Sequence, residues 1–434
     1  MKRVLPLLFI TLISFQPMAQ TVADQRCAAF GKGMNLSNWL EAPWQTNWPT
    51  ATGYTKADLE LMKVAGIQSI RLPVCFAHII DTVAPYYIDT NHLVFARIDS
   101  VIKWTAELQM NLIIDNHHEW TLSDSRWRNN LERFGHLWSV LASRYKYLDP
   151  EHYSFELLNE PPIFFALDSL NIIFNDAIDS IRQHTTTHSI IVSPNNGSWG
   201  RAFTTTYIPL ADSNLIYTWH CYDPLNFTHQ GFSWATPSFP TGMAFSSSTN
   251  WMESWLYDGI NEINHWRDTF NKPVFLGEFG VGEHADDESR CQWISFMGHY
   301  LDSANINWFY WDWRWDFTMF HSHVISADSV LSCFSHALHL YGDTLISTST
   351  PEIKMSAGDI QFYPTLISKG TTCVIKTEGV PQFNVKVFDC AGRLMLQQKF
   401  NQPEGRLPLY LEKGMYFVQI TAGEQSVVKK LISD

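Results

Sequence analysis

The sequence predicts an α/β protein, a (β/α)8 TIM barrel followed by a small C-terminal all-β sandwich domain. Three observations carry that prediction. Eight short apolar runs alternate with longer helical stretches between residues 30 and 315, the pattern of repeated βα units around a parallel sheet. A Ser/Thr-rich stretch with a proline, Asp343 to Pro351, interrupts it, as a linker does. Beyond that point the runs shorten and alternate, as half-buried strands do. The 434 residues exceed the size at which one hydrophobic core stops growing, so a large domain plus a small one is the natural division.

In chain order, Met1-Lys2-Arg3, the apolar run Val4 to Phe15 and Pro17-Met18-Ala19 have the layout of a secretory signal peptide over residues 1–19, so export is expected. The run is shorter than the roughly 20 residues that span a bilayer. The barrel domain follows over 20–341, with strands expected at Gly31 to Leu36, Ile67 to Leu72, Met110 to Asp115 and His152 to Leu158. The other four are expected at Ser189 to Val192, Leu215 to His220, Pro273 to Gly277 and Ile306 to Trp311. After a linker over 342–358, the sandwich occupies 359–434, with strands at Phe383 to Phe388, Arg393 to Gln397, Met415 to Ile420 and Ser426 to Leu431. Ala391-Gly392 and Ala422-Gly423 supply turns between them.

Composition narrows the function classes. With 45 % hydrophobic and 17 % charged residues the chain can bury a large core, which excludes disorder. A net charge of −13 without any Lys/Arg run excludes a nucleic-acid partner and leaves a neutral polymer open. The 18 Trp, 16 Tyr and 28 Phe either fill the core or offer flat faces to sugar rings. Seven cysteines form no CxxC pair and no zinc-like spacing, so no metal site is expected; one or two disulfides of open connectivity fit.

In a (β/α)8 barrel the reactive groups stand where strands end and loops begin. The expected strand ends carry Asn38, Arg71, His117, Asn159-Glu160, His220 with Tyr222, Glu278 and Trp311. A Glu closing a buried apolar strand is costly unless it is paired or works. Two do so, Glu160 and Glu278. Glycosidic cleavage needs such a pair, one carboxyl protonating the leaving oxygen and the other attacking the anomeric carbon. Low polarity or a nearby negative charge, which Glu278 would supply, is expected to keep the proton on Glu160, while Arg71 and Tyr222 are expected to hold Glu278 ionised. Asn159 suits a sugar 2-hydroxyl. Other chemistries lack their motifs: Asn196-Gly197-Ser198-Trp199-Gly200 is not a nucleophile elbow, and His117-His118-Glu119 is no HExxH helix.

These residues stand within Asn35-Leu36-Ser37-Asn38-Trp39-Leu40-Glu41-Ala42-Pro43, Arg71-Leu72-Pro73, Asp115-Asn116-His117-His118, Leu158-Asn159-Glu160-Pro161, His220-Cys221-Tyr222, Gly277-Glu278-Phe279-Gly280 and Tyr310-Trp311. Over about residues 28 to 320 the chain resembles glycoside hydrolase family 5, the cellulase-type retaining (β/α)8 glycosidases. The resemblance implies Glu160 as acid/base and Glu278 as nucleophile. Arg71, His117, Asn159, His220, Tyr222 and Trp311 are implied as the supporting shell, with Trp311 as the floor under the sugar at the cleavage point. Asn38 and Glu41 are implied as contacts to the neighbouring glucose, with His118 beside them. It further implies internal cleavage of β-1,4-glucan by a monomer without metal or cofactor. Mannan, xyloglucan and lichenan are alternative substrates, and a non-catalytic glycan-binding surface protein is the alternative of another class. Ser37 stands where many relatives have Gly, which is expected to crowd that turn. Asn226 to Trp255 reads as a lid or a structured surface loop.

The C-terminal stretches Tyr363-Pro364, Val387-Phe388-Asp389, Gly392-Arg393, Gly414-Met415-Tyr416-Phe417-Val418 and Val427-Val428-Lys429-Lys430-Leu431 resemble a type IX secretion sorting domain. A secretion machinery is thereby implied as partner, with a secreted or cell-surface location. A small carbohydrate-binding sandwich is the alternative, and the absence of Trp from this segment counts against it.

Overall fold

A computed structural model describes residues 20–320 apart from 46, 50–52, 123–126, 163–165, 196, 205–206 and 246–249, then 331 and 333–334, then 360–433 apart from 364–365, 368, 378–381, 390–393 and 423–424. The expected signal peptide and linker lie outside the described residues.

Eight parallel strands close a barrel in sequence order. They are β1 (Lys32–Asn35), β2 (Ser69–Val74), β3 (Asn111–Asn116), β4 (Tyr153–Glu156), β5 (Ser189–Val192), β6 (Leu215–Cys221), β7 (Val274–Phe279) and β8 (Trp308–Tyr310). β8 returns to β1, with Met34 opposite Tyr310. All eight expected strands are found, their ends displaced by no more than two residues. Both faces of a parallel sheet are covered, so its strands read as continuous apolar runs and not as alternation.

Helices follow most strands: α2 (Lys56–Val64), α3 (Leu93–Leu108), α4 (Leu131–Tyr145), α5 (Leu167–Arg182), the single turn α6 (Leu225–Thr228), α7 (Asn250–Phe270) and α8 (Asp287–Ser303). α5 shows why they pack: Leu170, Ile173, Phe174, Ala177, Ile178 and Ile181 are buried, and that spacing makes one apolar stripe. The fifth unit departs from the expected repeat. Among the described residues only a 3-10 turn, Gly200–Ala202, stands between β5 and β6, because Ser193-Pro194 and Gly197-Ser198 break the chain where a helix would start.

A helix ahead of β1, α1 (Val22–Phe30), plugs the lower end of the barrel. Its Ala23, Cys27 and Phe30 pack on Ile113, Ile191, Ile216, Phe275 and Phe309, and Asn111 Nδ2 donates to the Ala29 carbonyl at 2.8 Å. The opposite end, where the strands finish, stays open. Cys291 on α8 forms a disulfide with Cys333, while Cys27, Cys75 and Cys221 are free and buried. Trp138, Trp266, Trp293, Trp308 and Trp313 are fully buried, whereas Trp44, Trp120, Trp234, Trp255 and Trp315 are exposed. The aromatic content is therefore divided between the core and the surface.

The C-terminal region is a two-sheet sandwich. One sheet has the order β10 (Leu366–Ile367), β16 (Gln425–Ser433), β15 (Gly414–Ala422), β12 (Phe383–Asp389), β13 (Leu394–Phe400); the other runs β14 (Glu404–Leu409), β11 (Thr371–Thr377), β9 (Ile360–Tyr363). Its core joins Cys373, Ile375, Leu407 and Leu409 to Val385, Val387, Val418 and Leu431. Pro408 lies in β14, an edge strand, where a missing N–H is tolerated. β12, β13, β15 and β16 are the strands expected from the sequence, and β9, β10, β11 and β14 are additional to them. No helix of the described residues is long and apolar enough to cross a membrane.

Candidate active site

Arg71 is the hub. It sits inside β2 and not at its end, where the sequence reading put it, yet its side chain reaches the open end of the barrel. Nε and Nη2 clasp both oxygens of Glu156 at 2.7 and 2.8 Å. Nη1 donates to Glu278 Oε1 at 2.6 Å and to Asn35 Oδ1 at 3.0 Å. Nη2 also donates to Asn159 Oδ1 at 2.8 Å and lies 3.0 Å from Asp115 Oδ2. Burial alone would favour discharge of this fully enclosed guanidinium, but Asp115, Glu156 and Glu278 outweigh it and hold its pKa well above the usual range.

Glu278 lies near the end of β7 and takes a second donor, the Tyr222 hydroxyl, on Oε2 at 2.9 Å. Burial still lifts its pKa, against the lowering by His220, Arg71 and the Tyr222 bond. Glu160 follows β4, with 41 % of its side chain open to the cleft. Its backbone φ of +41° lies in the left-handed region that costs a non-glycine residue on the order of 1–3 kcal/mol, a strain that collects at working sites. His220 Nδ1 stands 2.8 Å from Glu160 Oε1. Loss of hydration in the walled cleft raises Glu160 to about 7, and Arg71 opposes the rise. Of the two causes expected from the sequence, low polarity and the charge of Glu278, desolvation is the larger at Glu160, and the mutual repulsion of the two carboxyls is visible at Glu278, which Glu160 helps to raise. A carboxylate oxygen of each glutamate and a ring nitrogen of His220 all lie within 4.8 Å of one another.

Burial lowers His220 to about 4, with Glu278 opposing and Arg71 assisting, so the imidazole is neutral at pH 7. A neutral ring can accept the proton of Glu160 when that group is an acid and donate to it when it is ionised. His117 is also held neutral by burial, well below the ordinary value. Its Nδ1 meets Asp115 Oδ2 at 2.6 Å and its Nε2 faces Asn159 Nδ2 at 3.4 Å. That network assigns Nδ1–H as donor to Asp115. Asp115 is raised to about 7, by burial first and by Glu160, against the pull of Arg71.

The walls are aromatic. Trp311 stacks on His117 at 5.4 Å and 11°, and His118 lies between exposed Trp44 and Trp120, at 5.4 and 5.8 Å. Arg133 fixes that wall from behind by donating to Glu119 at 2.8 Å. Asn38 has φ +52° and is braced from below by Glu41. Glu41 Oε1 accepts from the Asn38 amide and Oε2 from the Trp39 amide at 3.0 Å. Both oxygens of this buried carboxyl are thus occupied by backbone, and burial raises it to about 8 despite those amides. The Ser37 hydroxyl donates to buried Asp312 beside Trp311.

All eleven candidate residues therefore gather at the open end of the barrel or touch residues that do. Sequence reasoning missed Asn35, Asp115, Glu156 and Asp312. The available signal was an acidic side chain inside an apolar strand, as in Tyr153-Ser154-Phe155-Glu156, which implies a buried cation opposite.

Comparison with known proteins agrees with this geometry. Residues 24–316 match the family model described as cellulase (glycosyl hydrolase family 5), and residues 366–434 match that of a secretion system C-terminal sorting domain, which marks the chain for export. Endoglucanase H of Acetivibrio thermocellus is 31 % identical over 271 residues, 62 % of this chain and 28 % of the relative. Endoglucanase 3 of Fibrobacter succinogenes is 27 % identical over 66 % of this chain and 50 % of its own. The chain thus spans at most about half the length of these two relatives. Among solved structures, Thermotoga maritima Cel5A with cellobiose superposes with a TM-score of 0.65 at 28 % identity, covering 72 % of this chain and 99 % of that one. The same protein has been solved with mannotriose, at 27 % identity and a TM-score of 0.65 over 72 % of this chain and 99 % of that one. By the match over its barrel, the chain belongs to the cellulase family, glycosyl hydrolase family 5.

Proposed function

We propose that the chain hydrolyses internal β-1,4 bonds of cellulose-type glucan with retention, Glu278 acting as nucleophile and Glu160 as acid/base. The observation that carries the reading is the spacing of the two glutamates, with oxygens within 4.8 Å. A retaining pair needs roughly 5 Å, whereas an inverting pair needs about 6.5–9.5 Å to admit a water. Glu278, gripped by Arg71 and Tyr222, attacks the anomeric carbon while Glu160 gives its proton to the leaving oxygen. Glu160 then takes a proton from the water that releases the sugar. Trp311 forms the floor under that sugar, and Asn159, oriented by Arg71 and His117, meets its 2-hydroxyl. Asn38 contacts the neighbouring unit, with Glu41 positioning its turn.

Reducing-sugar release and viscosity loss on carboxymethyl cellulose, lichenan, xyloglucan and mannan test this, native chain against Glu160→Ala. Rapid viscosity loss on cellulose or lichenan that vanishes in the variant is the expected result. Activity confined to mannan would support a second reading, the same mechanism on another glycan, which the mannotriose complex of Cel5A motivates. Silence on all four would overturn both.

The pH profile follows from the two carboxyls. Glu160 must be protonated for the first step, so kcat/KM falls as pH rises through about 7. Glu278 must be ionised, and because burial raises it, the acid limb lies above the ordinary Glu value of about 4.3. On an aryl cellobioside whose leaving group needs no proton, Glu160→Ala loses the alkaline limb. An alkaline limb still near 7 in that variant would refute the acid assignment.

A further inference from the structure

The segment that runs on from α6 is a built wall and not a swinging lid. Gln230, 1 % exposed, stitches it together: Oε1 accepts from the amides of Gly242 and Met243 at 2.8 and 3.0 Å, and Nε2 donates to the carbonyls of Phe227 and Met243 at 3.0 and 2.9 Å. Phe232 fills the space beside Gly282, where a Cβ would come within 2.2 Å of its ring. The wall begins at Thr228 and His229, and both of them lie against Tyr222, whose hydroxyl donates to Glu278 Oε2.

Thr228 is fully buried and ties two strand ends together. Its hydroxyl donates to the Tyr222 carbonyl, just past β6, and its own carbonyl accepts from the Gly282 amide, just past β7, at 2.9 Å. Tyr222 and Glu278 stand at those two ends. A hydroxyl carries one proton. With that proton given to Tyr222, the Thr228 oxygen accepts from His229 Nδ1 at 2.9 Å, which assigns Nδ1–H to this ring. Burial lowers His229 to about 4, so the ring is neutral at pH 7. Fixed in this way, it meets the Tyr222 ring edge to face at 5.2 Å and 81°, and Phe317 closes in at 5.5 Å. Contacts of this kind set the orientation of an aromatic ring. The phenol is held with its hydroxyl 2.9 Å from the carboxylate.

We infer that Thr228 and His229 are positioning residues for the nucleophile, a clamp that fixes Tyr222 so that its hydroxyl keeps its bond to Glu278. The inference rests on the proposed role of Glu278. A donor on the ionised form of a carboxyl favours that form, and the Tyr222 bond acts in that sense on Glu278, against burial. The clamp therefore keeps Glu278 ready to attack at a lower pH than burial alone would allow.

The test is the acid limb of kcat/KM on an aryl cellobioside. Arg71 from β2, His220 and Tyr222 from β6 and Glu160 after β4 face Glu278, and all four are kept in the variants, so a moved limb reports the Tyr222 bond. Thr228→Val is expected to move the limb upward by about half a pH unit, the worth of one weakened hydrogen bond, and to lower the plateau about tenfold through misplacement. Thr228→Ser keeps the donor and is expected to restore both. His229→Ala removes the ring against Tyr222 and is expected to shift the limb in the same direction, so the test stands even where the valine variant does not fold. In a Tyr222→Phe background neither change is expected to add anything, because the hydroxyl they serve is gone. An unmoved limb in Thr228→Val or His229→Ala overturns the clamp, and so does an equal loss in the Tyr222→Phe background. A native chain silent on the aryl cellobioside would overturn the role of Glu278 and the clamp with it, whereas an active native chain with unmoved variants overturns the clamp alone.

Discussion

Glu278→Gln is expected to lower kcat on the glucan substrate by four orders of magnitude or more, about 5 kcal/mol of lost transition-state stabilisation. Glutamine keeps the size of the side chain and an oxygen for Arg71, so the fold and the cleft survive. It removes the charge that forms the covalent bond. Steady-state kinetics beside a circular dichroism melt check this. A variant within tenfold of the native rate, with an unchanged melt, would mean that Glu278 is not the nucleophile.

Arg71→Met is expected to destabilise the fold by about 3–5 kcal/mol, because it strands charge inside the barrel. Asp115, Glu156 and Glu278 all face this one guanidinium. The loss depends on pH in a definite direction. Without Arg71 the three carboxyls have folded pKa values further above their unfolded ones, so the folded state favours their protonated forms. That preference is present at low pH and lost as pH rises. The gap between native and variant stability in urea should therefore widen from pH 5 to pH 8. A gap that stays constant would show that the side chain acts by packing alone.

The barrel was legible because its strands are apolar on both faces and because each strand end carries a distinctive polar residue, as at Glu160 and Trp311. The sorting tail was legible through Val387-Phe388-Asp389 and Gly414 to Val418, whose alternation survives in β12 and β15. What stayed hidden depends on which way a side chain turns. Glu41 reads as a sugar ligand in sequence, and local spacing does not reveal that its carboxyl also folds back on the amides of Asn38 and Trp39. Glu156 looks like an ordinary strand residue and proves to hold Arg71 with both carboxylate oxygens. Ser37 read as an intrusion because its acceptor, Asp312, lies 275 positions along the chain. Long-range pairing of this kind leaves no trace in local spacing.

The Cys291–Cys333 bond spans 42 positions and encloses β8 together with Trp311 and Asp312. It cannot persist in a reducing cytoplasm. Export therefore does more than relocate the protein: the ring containing the cleft floor is sealed only after the chain leaves the compartment where it is made. By the loop-entropy relation a ring of that size restrains the unfolded chain by about 4 kcal/mol. The molecule thus reaches full resistance to unfolding only after export, and a copy retained inside the cell is the softer form.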